Sequence, residues 1–201
     1  MGLAFKAVFG LDDALAGEDF HGRTDRLIIK DALQRHGLLT ARYEELLPRL
    51  KVAYLLLLQQ ALREDGQARV LPGAAALLAA LSAAPDTHLG LATGNFRDAA
   101  FMKLQHLGLA DYFAEGGFGD DAEGRPGIVR AAIARLEERL GASLPREGIY
   151  MVGDTLADVE AARACGVVAV AVASGPHSPE ALRAAGAAHV FASLSDAFHL
   201  V

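Results

Sequence analysis

Two aspartates four residues apart, Asp154 and Asp158, stand between a short apolar run and a helical stretch. Thr93-Gly94-Asn95 follows another apolar run, and Arg125-Pro126 opens a further helical stretch. Nearer the N-terminus, Ala7-Val8-Phe9 leads through Gly10 and Leu11 into Asp12 and Asp13. An apolar strand that stops at polar residues delivers its last side chains to the carboxyl edge of a parallel sheet, where open α/β folds keep their ligands. The amide N–H groups of Gly94 and Asn95, near a helix N-terminus, suit an anion. Each group also has a plainer use. Asp154 or Thr155 caps a helix, Asp158 is a first-turn acid favoured by the helix dipole, and Thr93 and Asn95 make a cap-and-turn pair. Arg125 is then a solvated helix-start residue, Arg23 a turn residue, and Gly10 a close-packing glycine. Only the joint pattern argues for chemistry.

The elements that must position these groups are legible in outline. The first strand covers Ala7 to Asp13. His21-Gly22-Arg23-Thr24-Asp25 supplies a turn and helix N-cap, and a helix runs from about 25 to 36, ending at Gly37. A second helix, about 41 to 65, carries Leu46, Leu47, Leu50, Ala53, Tyr54, Leu57, Leu58, Ala61 and Leu62 along one face, with Pro48 kinking it or marking its start. Because Val52, Leu55 and Leu56 make its middle apolar nearly all round, it needs cover on two sides, from the rest of the protein or from a second copy. After the turn at Val70-Leu71-Pro72-Gly73 come a helix over 74 to 83 and a strand over 88 to 92. The rest alternates: helix 95 to 107, loop 116 to 124, helix 125 to 140, strand 149 to 152, helix 156 to 164, strand 167 to 172, helix 179 to 185, strand 188 to 191. Strands separated by helices call for right-handed crossovers and a parallel sheet covered on both faces. The interval from 13 to 84 exceeds an ordinary crossover and reads as an inserted helical cap.

The chain has 201 residues, 52% hydrophobic and 22% charged, enough to bury a large core. A formal net charge of -6 with both signs intermixed offers no basic face for nucleic acid and no polybasic membrane signal. No apolar run reaches the roughly 18 to 20 residues that span a bilayer. The single cysteine, Cys165, excludes an internal disulfide, and the N-terminus lacks a signal-peptide pattern, so a cytoplasmic location is expected. The seven histidines show no metal-ligand spacing.

Over essentially its whole length the sequence resembles the haloacid dehalogenase-like superfamily, in its helical-cap phosphatase branch, phosphoglycolate phosphatase-like. The matching stretches are Lys6 to Asp12, Gly22 to Asp25, Leu71-Pro72-Gly73, Leu91 to Asn95, Arg125-Pro126 and Val152 to Ala162. The resemblance implies a three-layer α/β/α Rossmann-like parallel sheet, residues 1–13 and 85–201, with an inserted helical cap over 14–84. It implies that Asp12 is the general acid and base, that Thr93 bonds a phosphoryl oxygen, that Arg125 replaces the usual lysine, and that Asp12, Asp154 and Asp158 hold Mg²⁺. Gly94, Asn95 and Arg23 are expected to bind substrate. Gly10 falls where the family has its attacking aspartate.

With the nucleophile position vacant, a phosphate monoester hydrolase of small metabolites is expected to retain weak activity or none. In another hydrolase, loss of the nucleophile costs on the order of a million-fold in turnover. The alternatives are a slow Mg²⁺-dependent phosphatase in which water attacks directly, and a protein that binds phosphate or a small phosphorylated metabolite without turning it over, or that acts as a homodimer.

Overall fold

The computed structural model describes residues 1–17, 19–40, 43–64, 66 and 68–196. Its N-terminal part is helical. Helix α1 covers Gly2–Phe9, α2 Asp25–Arg35 and α3 Tyr43–Glu64. The strand expected over 7 to 13 is therefore not formed. A short apolar run is ambiguous between strand and helix, and here local pairing decides. Phe5 and Phe9, four apart, bring their rings to 5.9 Å, and Ala4 and Phe5 are fully buried in a core shared with α2 and α3. Gly10 ends the helix in the left-handed region at φ 70°, its N–H donating to the Lys6 carbonyl.

Thr24 caps α2, its hydroxyl accepting the Leu27 N–H. Ile29, Ala32 and Leu33 of α2 share one buried core with Leu47, Leu50 and Tyr54 of α3, where each buried leucine or isoleucine contributes about 1.5–3 kcal/mol. Pro48 lies inside the first turns of α3, and residues 41, 42 and 65 of the expected span lie outside the described residues. The cover expected on two sides is only partial: Leu55 packs on the core, while Val52 and Leu56 are more than half exposed. Helix α1, which falls in the span expected to join the sheet, packs on α3 and shares its core.

Helix α4, Ala74–Ala83, leads to β1, Gly90–Ala92, then α5, Arg97–His106, β2, Glu115–Gly117, and α6, Arg125–Leu140. The chain continues through β3, Tyr150–Gly153, α7, Leu156–Ala164, β4, Val168–Val172, α8, Pro179–Ala184, and β5, His189–Phe191. All strand pairs are parallel, as the alternation predicts, but they form two sheets, β1-β2 and β3-β4-β5. Among the described residues neither β1 nor β3 has a strand on its second edge, and Tyr150 and Val152 of β3 stand half exposed. Helix α6 packs on β1, β2 and α7, so it ties the sheets together. Strand β2 lies in the stretch expected as a loop. Its glycines, weak strand formers, are needed for close approach: a Cβ on Gly116 would come within 2.6 Å of the Leu91 Cβ, and one on Gly117 would strike the Ile128 carbonyl.

Candidate functional site

The expected groups at the ends of β1, β3 and α6 come together around one loop from the helical unit. Gly22, with φ 68°, is pressed so closely onto α7 that a Cβ there would lie 2.9 Å from the Ala157 Cβ and 3.3 Å from Thr155 Oγ1. Next along, Arg23 and Thr24 lie against Gly94, where a Cβ would strike the Arg23 carbonyl. Residues 22–24 thus touch both strand ends. Thr24 Oγ1 also donates to the Glu123 carbonyl at 3.0 Å, and Lys30 pairs with the Glu123 carboxylate at 2.9 Å, just before α6.

At the end of β1, the Thr93 N–H donates to the Gly117 carbonyl and prolongs the β1-β2 pairing. Its hydroxyl oxygen accepts the Asn95 N–H at 3.2 Å, which leaves the hydroxyl proton to donate elsewhere. The Asn95 N–H expected to face an anion is therefore engaged. The Phe96 N–H at the start of α5 is engaged too, accepted by the Asp25 carboxylate at 2.8 Å.

Arg125 is the first residue of α6 and reaches Asp158, its Nε at 2.8 Å and Nη2 at 2.5 Å from Oδ1. Asp158 is 3% exposed and forms a capping box with Thr155 at the start of α7. Its Oδ2 accepts the Thr155 hydroxyl at 2.8 Å and the N–H groups of Thr155 and Asp154. Asp154 is half-buried and lies against Gly175, where a Cβ would come within 2.5 Å of its Oδ2.

The three carboxylates expected to share a metal are not brought together. Asp12 is exposed and pairs with Lys6 of α1, and Asp158 is committed to Arg125 and its own helix start. Among the described residues no group of three or more His, Cys, Asp or Glu side chains is placed to hold a metal ion. The residues present do not form the Mg²⁺ site that the resemblance implies. Gly10, expected at the end of a strand, is the C-terminal cap of α1.

Two residues without an assigned role complete the site. Asp25, the first residue of α2, and Lys103 of α5 both reach Asn95. With Arg23, Phe20 and Tyr54 they line a cavity of about 490 Å³. Burial pushes the Asp25 carboxyl up from its ordinary value and pulls the Lys103 ammonium down, while burial and then Asp25 raise the Tyr54 hydroxyl. Arg23 points its guanidinium to Asp31. Asp25 carried a helix-start signal in the sequence; its partners 70 and 71 residues away left none.

A family model for haloacid dehalogenase-like hydrolases matches residues 7–166. Over 135 residues, 64% of this chain, the sequence is 38% identical to a phosphoglycolate phosphatase of Rhodospirillum rubrum, and the match covers 53% of that protein. The chain thus spans about half the length of this curated relative. Among solved structures, the fold is similar to CbbY from Rhodobacter sphaeroides in complex with phosphate, with a TM-score of 0.69 at 18% identity, covering 98% of this chain and 86% of that one. A hydrolase from Pseudomonas syringae gives a TM-score of 0.66 at 24% identity, covering 98% and 90%. With the family match spanning most of the sequence and the fold agreeing, this chain belongs to the haloacid dehalogenase-like hydrolase family.

Proposed function

We propose that the chain binds phosphate, or the phosphate of a small phosphorylated metabolite, at the edge formed by Thr93, Gly94 and Arg125, and that it hydrolyses the ester weakly or not at all. The observation that carries this is that the 22–24 loop packs beside those groups, Gly22 on Thr155 and Ala157, Arg23 on Gly94 and Thr24 on the Glu123 carbonyl, with Thr93 keeping a hydroxyl proton to donate and Arg125 a guanidinium at the start of α6. Donors fixed in place are what phosphoryl chemistry asks of a protein. The likeness to a phosphoglycolate phosphatase of Rhodospirillum rubrum supports the ligand class.

The weakness of turnover follows from α1. Residues 10–13 bring no carboxylate to this edge, since Asp12 pairs with Lys6 at the surface. The cap is best drawn to include α1, so that helices α1 to α3 form one lid-like unit on the Thr93–Asn95 loop. A single cysteine suits a reducing, cytoplasmic compartment, and no helix among the described residues is long and apolar enough to cross a membrane.

Turnover of p-nitrophenyl phosphate by the purified chain, with and without Mg²⁺, tests the reading. Little or no turnover, alongside saturable binding of vanadate, is expected. Slow but saturable Mg²⁺-dependent turnover, clearly above background and lost in Asp154→Ala, would replace it with the phosphatase in which water attacks directly.

A further inference from the structure

We propose that Asp25 is a positioning residue for the Thr93–Asn95 loop, acting through a hydrogen-bond chain whose direction Lys103 sets. What the loop holds rests on the function proposed above; the chain itself does not. Asp25 is 5% exposed and makes three bonds to three consecutive residues after β1. Its N–H donates to the Gly94 carbonyl at 2.7 Å, and its carboxylate accepts the Asn95 side-chain Nδ2 at 3.3 Å and the Phe96 N–H at 2.8 Å. A helix start leaves N–H groups without intrahelical partners, and Phe96 caps α5 with no side-chain bond of its own. Asp25 supplies that cap from another helix.

The polarity of the chain is fixed at both ends. The Lys103 ammonium can only donate, and it gives a hydrogen to Asn95 Oδ1 at 2.8 Å. The Asn95 amide must then turn its NH₂ toward Asp25, which can accept. With its side chain held at both ends, Asn95 has its backbone N–H directed to Thr93 Oγ1, and the Thr93 proton is left for a ligand oxygen. The loop has no slack, since a side chain at Gly94 would strike the Arg23 carbonyl.

A cap that merely closes a helix would accept asparagine. At position 25, however, an asparagine would present its own NH₂ to that of Asn95, and Lys103 opposes the flip that would relieve the clash. Exchanging the two residues restores the chain: the amide now at position 25 accepts from the Phe96 N–H and donates to the carboxylate now at position 95, which also accepts from Lys103.

The experiment compares the full chain with D25N, N95D and D25N/N95D. Binding of inorganic phosphate is followed by calorimetry and protection of the Phe96 amide by hydrogen exchange. Each single change is expected to weaken phosphate binding about 10-fold and to speed Phe96 exchange about 10-fold, and the exchanged pair to return both to within about 3-fold of the parent. Single variants that match the parent, or a folded double variant no better than the singles, would overturn the proposal. If the parent binds no phosphate, the proposed function falls, while the exchange readout still decides the role of Asp25. Should the single variants not fold, Lys103→Met keeps the stem and frees the Asn95 amide. About 5-fold weaker phosphate binding with Phe96 protection retained is then expected, and unchanged binding, or in a parent without phosphate binding an unchanged rotational order of the Asn95 side-chain amide, counts against it.

Discussion

Arg125 and Asp158, 33 residues apart, hold each other at the join of α6 and α7: two guanidinium nitrogens meet Oδ1, while Oδ2 takes the Thr155 hydroxyl and two backbone N–H groups. A carboxylate offers about four lone-pair sites, so Asp158 is saturated by protein donors. It acts as the clasp between two helix starts. Removing one partner of a buried pair leaves the other uncompensated, so Asp158→Ala is expected to cost about 3–5 kcal/mol. Thr155→Ala, which removes only the cap hydroxyl, should cost about 1 kcal/mol. Urea unfolding of the two variants checks the order, and equal costs would show that Arg125 contributes nothing.

Gly10→Asp is expected to create no phosphatase activity, because residue 10 caps α1 and no catalytic group adjoins it. A Cβ there meets nothing within 4 Å, so the cost is the left-handed backbone alone, about 1–2 kcal/mol. Appearance of turnover in this variant, measured on p-nitrophenyl phosphate, would restore the strand reading of residues 7–13.

Gly94→Ala is expected to separate the helical unit from β1, since the added methyl overlaps the Arg23 carbonyl. A loss of about 2–3 kcal/mol with weaker phosphate binding is predicted, in the range of overpacked sites. Unchanged stability by thermal unfolding would mean that residues 23–25 move aside freely.

The pH dependence of Asp25 has a definite sign. Its folded value is raised above 3.8, chiefly by burial, against the opposing pull of the Phe96 N–H and Lys103. The folded state therefore holds the proton more tightly, so this contribution to stability is fully present below about pH 4 and is lost as pH rises through the raised value. Stability measured by urea midpoint should fall in the parent, relative to Asp25→Asn, across that window. A parallel pair of curves would show that Asp25 titrates normally.

Most helices were legible in the sequence for physical reasons. Helix α2 has a Thr24 cap, α3 a stripe at helical spacing, and α6 an Arg-Pro start and a Gly141 end. Residues 7–9 were not, because a short apolar run carries no period, and the ring contact of Phe5 with Phe9 settles it. Strand β2 was hidden by the glycines that close approach demands. Thr93, Arg125, Asp154 and Asp158 are read from two strand ends and the helix starts beside them, whereas Gly10 and Asp12 are read through a strand that does not form. Asp25 and Lys103 escaped notice because their meaning lies in the Asn95 amide between them.

Calorimetric titration of inorganic phosphate into the parent, Thr93→Ala and Asp12→Ala tests the central claim most directly. Saturable binding in the parent, at least about 10-fold weaker in Thr93→Ala and unchanged in Asp12→Ala, is predicted from the loss of one hydrogen bond to a charged group. Absence of binding in the parent, or its loss in Asp12→Ala, would contradict a phosphate site built at the Thr93 and Arg125 edge without the segment that follows α1.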